Sequence, residues 1–208
     1  IKNNYFYFLI LIFIVISALI GERSNLVKVL FMSIIFVFFL SNKIVSKLKI
    51  FIFTFLFFLI LLTSSHNYQW RYWEVFIQPI ITKPIEYINK SHYGSHYKVA
   101  IEVFKNNKLT GVGLKNYRIE VTKDKYAGKL SSIHPHQIHF EILSELGILG
   151  YLFFISFMLV NLYLSIKSYF KTKNYFVLSG SLYVMAALIP ILPSGSFFTS
   201  FSATFFWM

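Results

Sequence analysis

The stretch YFYFLILIFIVISALI, residues 5–20, decides the fold class. It contains no charged side chain, and apart from its two tyrosines only Ser17 is polar. A run of this length suits a short or tilted membrane-spanning helix. Similar runs follow at residues 26–40 and 50–62 and, after a long polar stretch, at 142–166, 175–192 and 197–208. The sequence therefore predicts an all-α polytopic membrane protein with about six transmembrane helices, the last of them truncated.

The overall composition supports this fold class. Of the 208 residues, 56% are hydrophobic and only 13% are charged, which lies outside the usual range of soluble domains. Soluble enzymes are therefore excluded. Cysteine is absent, which excludes disulfide scaffolds, thiolate metal sites and cysteine nucleophiles. Because the sequence begins without methionine at Ile1 and stops inside an apolar run, we interpret it as part of a longer protein.

Lysines in the short connections predict the orientation of the chain. They form two clusters, Lys43, Lys47 and Lys49, and Lys167, Lys171 and Lys173. Basic residues in short loops mark the cytoplasmic side, so the long polar stretch is expected on the external face. The chain is thus divided into three transmembrane helices at 1–63, an external loop with short amphipathic helices at 64–140, and three further transmembrane helices, the last incomplete, at 141–208.

The net charge of +12 arises from two different regions. Seven of the twenty basic residues lie in the predicted cytoplasmic flanks, and eleven lie in the external loop, which carries only five acidic residues. Topology accounts for the first group, so nucleic acid is not an expected partner. The basic external surface instead favours anionic membrane lipids or a phosphate-bearing substrate.

The external loop contains two amphipathic segments and a glycine turn. Tyr68–Ile81 reads YQWRYWEVFIQPII and predicts an interfacial segment, whose aromatic side chains either anchor it at the membrane or stack on a sugar. Tyr97–Asn107 has helical hydrophobic spacing. In the glycine turn that follows, residues 109–118, two glycines allow close approach of the backbone to a ligand or a neighbouring helix. Lys115 and Arg118 either clamp a phosphate or are merely solvated.

The stretch IHPHQIHFEILSELGILG, residues 133–150, is the most distinctive polar feature. Pro135 suits a turn or a helix start, so His136 is expected at the mouth of a helix, at head-group depth. His136 could ligate a metal together with His134 and His139, but the spacing is not an established zinc pattern. A single imidazole acting as general base needs only a pKa near neutrality, an orienting partner and an acceptor hydroxyl.

Three charged residues near the predicted membrane boundary also need partners. Arg23 lies in GERSN, residues 21–25, between two apolar runs. There it either snorkels, pairs with Glu22 or binds an anion with its planar guanidinium. Glu141 and Glu145 are four residues apart on one helix face, where they could hold histidines or a cation.

These features together resemble the C-terminal half of the O-antigen ligase and polymerase family of bacterial membrane glycosyltransferases. The family signature is histidine, then Asn, Ser or Gln, nine further residues and Gly-x-x-Gly. It is met by His136, Gln137, Gly147 and Gly150. The segment GVGLKNYR, residues 111–118, is similar to the glycine turn that precedes the signature in the family, and GERSN is similar to the family's arginine-bearing segment.

The resemblance implies a reaction and roles for individual residues. In the family, undecaprenyl pyrophosphate delivers a glycan to an acceptor hydroxyl, such as that of lipid A-core, on the periplasmic face of the inner membrane, without a cofactor or a catalytic metal. His136 is then expected to be the base that deprotonates the acceptor, and Arg23 and Arg118 are expected to hold the pyrophosphate. Candidate supporting residues are His134, His96, Gln137 and Lys115. His96 stands near the position where many relatives have an arginine.

Several related functions share this chemistry. An O-antigen polymerase would use a second lipid-linked glycan as acceptor, and a protein O-oligosaccharyltransferase would use a serine or threonine. Both remain open beside the ligase. A membrane transporter would require ionisable residues at mid-membrane depth, and the predicted spans carry none near their centres. A structural membrane anchor would tolerate changes at His136 and Arg23.

Overall fold

The computed structural model describes residues 2–40, 44–129, 132–199 and 204, and all regular secondary structure in these ranges is helical. The first helices are α1 (Lys2–Ile20), α2 (Arg23–Leu40) and α3 (Ile44–Ser64). The next are α4 (His66–Tyr68), a π-helix (Gln69–Ile77), α5 (Gln78–Thr82) and α6 (Pro84–Lys90). The described part ends with α7 (His92–Asn106), α8 (Tyr117–Glu120), a 3₁₀ helix (Asp124–Tyr126), α9 (Ile138–Thr172) and α10 (Tyr175–Ala187).

Three of these helices, α2, α3 and α9, are long and apolar enough to cross a membrane. Shorter apolar helical segments lie at Tyr5–Ile20 and Tyr175–Ala187. All five coincide with predicted apolar runs, so the predicted helical membrane class is confirmed. The count of six spans and the external side of the loop stay predictions. Most of the sixth run, at 200–203 and 205–208, lies outside the described residues.

The chain forms two compact units, Ile1–Pro84 with Leu178–Ala186 and Ile85–Val177 with Ala187–Met208. In the first unit, α1 packs against α2 and α3. Its buried cluster combines Ala18, Leu26, Leu61 and Tyr72. Large apolar side chains cover the outside of the same helices; Phe13 is 60% exposed and Phe51 is 67% exposed. An apolar exterior of this kind is what lipid-facing helices present.

Side chains of the π-helix form hydrogen bonds with the end of α1 and with the turn between α1 and α2. The hydroxyl of Tyr72 is buried and donates to the carbonyl of Ala18 at 2.5 Å. Nε of Arg71 donates to the carbonyl of Gly21 at 2.6 Å. π-Helices are rare and occur often at functional sites. The segment predicted at 68–81 is therefore helical, and its side chains bind the end of α1 and the turn that begins GERSN.

In the second unit, α7 and α8 pack against α9. The buried face of α7 forms a core with the aromatic side chains that follow it; this core contains Val99, Ala100, Val103, Tyr117 and Tyr126. The amphipathic helix predicted at Tyr97–Asn107 is confirmed, and it begins earlier because Ser91 caps it. Oγ of Ser91 accepts a hydrogen bond from the N–H of Gly94 at 2.9 Å, as expected for a serine N-cap.

The helix α9 is interrupted at Gly147, where φ is 67° and ψ is −169°. The carbonyl of Ser144 accepts a hydrogen bond from the N–H of Val112 at 3.0 Å, and that of Glu145 accepts one from the N–H of Gly113 at 2.8 Å. In an uninterrupted helix these carbonyls would accept from residues four positions further along α9. The glycine turn thus replaces part of the internal hydrogen bonding of the helix.

Backbone N–H groups of α9 just after the break also donate hydrogen bonds to carbonyls of the upstream chain. The N–H of Ile148 donates to the carbonyl of Lys108 at 2.8 Å, and the N–H of Leu149 donates to the carbonyl of Leu109 at 3.3 Å. A Cβ at Gly111 would overlap the backbone of α9, so glycine is needed for this close approach. The apolar run that the sequence predicts as one helix is therefore two helical segments joined through an inserted turn.

Candidate functional site

Four histidines of the second unit lie together and are called the histidine cluster here. His92 and His96 stand on α7, while His134 and His136 precede α9. The ring centroids are 4.7 Å apart for His92 and His96, 5.1 Å for His96 and His136, and 4.0 Å for His134 and His136. Three of these residues were predicted to belong to one site. His92 was missed, although its spacing of four residues from His96 places both on one helix face.

His136 occupies an unusual backbone position. Its φ is 58°, a left-handed conformation that residues other than glycine rarely adopt. The carbonyl of His136 accepts a hydrogen bond from the N–H of Ser194 at 2.8 Å. Nε2 of the ring is hydrogen-bonded to Oγ of Ser132 at 3.2 Å. Ser132 is therefore the residue that orients the imidazole, and no sequence pattern singles it out.

Burial and neighbouring histidines favour the neutral forms of His134 and His136. Burial lowers the pKa of His136 below the ordinary value for histidine, and the charges of His134 and His92 lower the pKa further. The pKa of His134 is lowered in the same way by burial and by His96. A neutral imidazole is the form that accepts a proton. His136 can therefore act as a base at neutral pH.

Gln137, a predicted supporting residue, starts α9. Its Oε1 accepts hydrogen bonds from the N–H groups of His139 at 2.7 Å and Phe140 at 3.2 Å. The side chain is almost completely buried, since only 1% of the residue is exposed. Gln137 thus caps the helix directly after His136, and its carbonyl oxygen is occupied by the helix rather than by the imidazole.

His139 points to a different part of the second unit. Its Nε2 lies 2.8 Å from the carbonyl of Leu188, which can only accept, so Nε2 carries the hydrogen. Nδ1 then accepts from the hydroxyl of Tyr151 at 3.1 Å. Among the described residues, no three His, Cys, Asp or Glu side chains are grouped so as to hold a metal ion. The metal alternative that joined His139 to the two histidines before it does not match this arrangement.

Glu141 and Glu145 bind backbone and hydroxyl groups of two loops. The carboxylate of Glu141 accepts from the N–H of Phe197 at 2.7 Å and from the hydroxyl of Ser196. Oε2 of Glu145 accepts from the N–H of Lys115 at 2.6 Å. Both glutamates are buried. They fasten these loops to α9 and hold neither histidines nor a cation in the described residues.

The two basic residues predicted after the glycine turn are both exposed. Lys115 is fixed through its backbone, whose φ is 58°, and its ammonium group extends outwards. Arg118 lies on α8 and has no ion pair or side-chain hydrogen bond within the described part of the chain. The nearby carboxylate of Glu120 pairs with Lys123 and Lys125 instead. The charge of Arg118 is therefore available to an anionic ligand.

Arg23 belongs to the first unit and is half-buried. Its NH1 donates to the carbonyl of Val75 at 3.1 Å, and the guanidinium lies 5.8 Å from the ring centroid of Phe76. Glu22, one of the partners considered for it, pairs with Arg71 at 3.6 Å. The contacts of Arg23 leave most of its donors without a protein acceptor in the described residues, which suits recognition of an anion.

A family model described as O-antigen ligase matches residues 7–155, a range that includes Arg23, Arg118 and His136. The chain belongs to the O-antigen ligase family. No curated protein and no solved structure matches it. O-antigen ligase family members are membrane enzymes of glycan transfer that generally act on lipid-linked glycans, so the chain is a glycosyltransferase-like membrane protein. The resemblance drawn from the signature residues is thereby confirmed.

The fold gives a physical reason for the spacing of the O-antigen ligase signature. The residue after the histidine caps α9, and the first glycine of the pair breaks it. The nine residues between Gln137 and Gly147 therefore form the first helical segment of α9. Its length sets the distance from His136 to the inserted glycine turn.

Proposed function

We propose that this protein transfers a glycan from undecaprenyl pyrophosphate to an acceptor hydroxyl on the periplasmic face of the inner membrane. The observation that carries the proposal is His136, a partly buried imidazole with a lowered pKa, held by Ser132 at the start of a helix in an O-antigen ligase family chain. The basic composition of the loop suits a pyrophosphate substrate. Lipid A-core is the proposed acceptor.

The reaction needs one base and charge neutralisation. The imidazole of His136 takes the proton of the acceptor hydroxyl while the acceptor oxygen attacks the anomeric carbon of the glycan. The bond between that carbon and the pyrophosphate oxygen breaks, and its electron pair leaves with the carrier pyrophosphate. Pyrophosphate is a good leaving group, so positioning and electrostatic stabilisation are sufficient.

Arg23 and Arg118 are proposed to bind the pyrophosphate. Both guanidinium groups have donors without a protein acceptor in the described residues, and a planar guanidinium binds phosphate oxygens in pairs. His134 supports the base by lowering the pKa of His136, and the ring of His96 lies against it with centroids 5.1 Å apart. Lys115 adds positive charge near Arg118. The lysine clusters of the short connections support the choice of the periplasmic face.

Replacement of His136 by alanine in the intact protein is the direct test. Transfer of glycan is expected to be abolished, while membrane insertion is unchanged, because the base is lost and the fold is not. His66→Ala is the matched control, since His66 is exposed on α4. Transfer that persists in His136→Ala at the level of the control would contradict the assignment.

Deletion of the full-length gene in its host separates the related functions. Lipopolysaccharide without long glycan, with full-length chains accumulating on the carrier, would identify a ligase. Lipopolysaccharide limited to a single repeat unit would identify a polymerase. An unchanged glycan pattern would favour protein O-oligosaccharyltransferase activity or a function outside glycan transfer.

A further inference from the structure

The side-chain amide of Gln137 is locked in one orientation. Its Oε1 accepts from two backbone N–H groups of α9. Because those groups can only donate, the amide cannot be turned over, and the NH₂ group is directed away from them. Nε2 is buried and has no hydrogen-bond partner among the described residues.

A second buried donor without a partner is attached to the same backbone. The N–H of Ser194 donates to the carbonyl of His136, which is the carbonyl of the peptide that joins His136 to Gln137. Oγ of Ser194 is also buried and unpartnered within the described part of the chain. Two buried donors without partners are therefore linked to the peptide that follows the proposed base, Gln137 covalently and Ser194 by a hydrogen bond.

Orphan buried polar atoms are uncommon, because a buried donor without an acceptor loses its hydrogen bond to water and gains none in return. A catalytic role is one reason why such an atom is retained. A group that can accept from such donors is an oxygen atom with partial negative charge.

We propose that Nε2 of Gln137 and Oγ of Ser194 form an oxygen-binding subsite that donates hydrogen bonds to the acceptor hydroxyl oxygen while His136 removes its proton. This inference rests on the proposed function. The subsite stabilises the negative charge that develops on the attacking oxygen, as preorganised donors do in an oxyanion hole. Gln137 consequently has two functions, since its oxygen caps the helix and its nitrogen binds substrate.

Gln137→Glu separates these two functions. A carboxylate of the same size still accepts from the two backbone N–H groups, so the cap and the fold are kept. The substrate-facing donor is replaced by an oxygen, which repels the developing charge. In Gln137→Ser the cap is kept by a hydroxyl and the amide is absent. Gln78→Glu makes the same chemical change at an exposed position and is the matched control.

The measurement is steady-state transfer by the purified full-length protein with lipid-linked glycan and acceptor, together with the melting temperature. Both Gln137 variants are expected to lose on the order of 100-fold in kcat/KM for the acceptor, the effect of removing one oxyanion donor. Ser194→Ala is expected to lose about tenfold. The KM for the lipid-linked donor and the melting temperature of Gln137→Glu should match those of the Gln78 control.

Two results would overturn the inference. Full transfer in Gln137→Glu and Gln137→Ser would mean that Gln137 only caps α9. A raised KM for the lipid-linked donor with unchanged acceptor kinetics would assign the donors to a phosphate oxygen. If either result is found and the His136→Ala protein is inactive, the proposed function still stands. If the His136→Ala protein is active, His136 is not the base.

Discussion

Gly147→Ala is expected to expel the glycine turn from α9. The φ and ψ of Gly147 lie in a region that is accessible almost only to glycine, and another residue held there costs about 1–3 kcal/mol. A Cβ would also overlap the carbonyl of Leu109. The four backbone hydrogen bonds that cross the break contribute about 1 kcal/mol each. When the turn is expelled the strain is relieved and these bonds are lost, so the local loss of stability is about 4 kcal/mol.

Amide hydrogen exchange in the full-length protein measures this opening directly. The amides of Val112, Gly113 and Ile148 donate across the break, so their exchange should accelerate by up to about 1,000-fold, at one factor of ten per 1.4 kcal/mol. Two control variants, Gly128→Ala and Gly180→Ala, separate the cost of backbone strain from the cost of losing the close backbone approach. Gly128 has a φ of 76° with open space around it, and Gly180 has open space without a positive φ.

Strain alone predicts a loss of about 1–2 kcal/mol for Gly128→Ala, and Gly180→Ala should lose nothing because alanine favours a helix. The reasoning would be refuted if exchange at the break in Gly147→Ala accelerated no more than local exchange does in Gly128→Ala. The inserted turn would then tolerate a side chain, and the close backbone approach would not be the reason for the glycine.

Two further predictions concern the second unit. His134→Ala should raise the pKa of His136, because the substitution exposes the ring and removes a neighbouring charge. The acidic limb of the pH profile of the transfer rate should then shift to higher pH, and an unmoved limb would contradict the coupling between the two histidines. Melting temperatures across the same pH range are the control, because histidines with lowered pKa values also destabilise the fold as pH falls below about 6.5. Glu141→Leu leaves the N–H of Phe197 and the hydroxyl of Ser196 without their acceptor and should cost about 3 kcal/mol, measured by thermal unfolding. Glu141→Gln keeps an acceptor and should cost less than half as much. Equal losses in the two variants would contradict this account, because an amide oxygen would then fail to replace the carboxylate.

The features that depend on local sequence were predictable. Apolar runs identify the helices, since a membrane span must satisfy its own backbone and cover itself with apolar side chains. The position of His136 at a helix mouth follows from Pro135 and from a polar residue able to cap the helix. The signature residues His136, Gln137, Gly147 and Gly150, together with the glycine turn and GERSN, identified the family.

Features that depend on contacts between distant segments were not predictable from one sequence. The break in α9 has no local signal apart from Gly147, because a glycine within a helical pattern does not by itself specify a break. Its partners come from the glycine turn upstream. The contact of Arg23 with Val75 requires the π-helix, which has no sequence pattern of its own. Ser132 is one of many polar residues in the loop, and only the folded chain brings it to His136.

The pairing across Gly147 also orders events during biosynthesis. The glycine turn precedes α9 in the chain, so it is synthesised before the segment that needs it. Until the two meet, the backbone groups around Gly147 can pair only within α9 itself, because unpaired groups are costly for a chain surrounded by lipid. We therefore expect α9 to reach its final form only after the loop has been delivered to the same side. Formation of the hydrogen bonds across this break would then be a late step of membrane assembly.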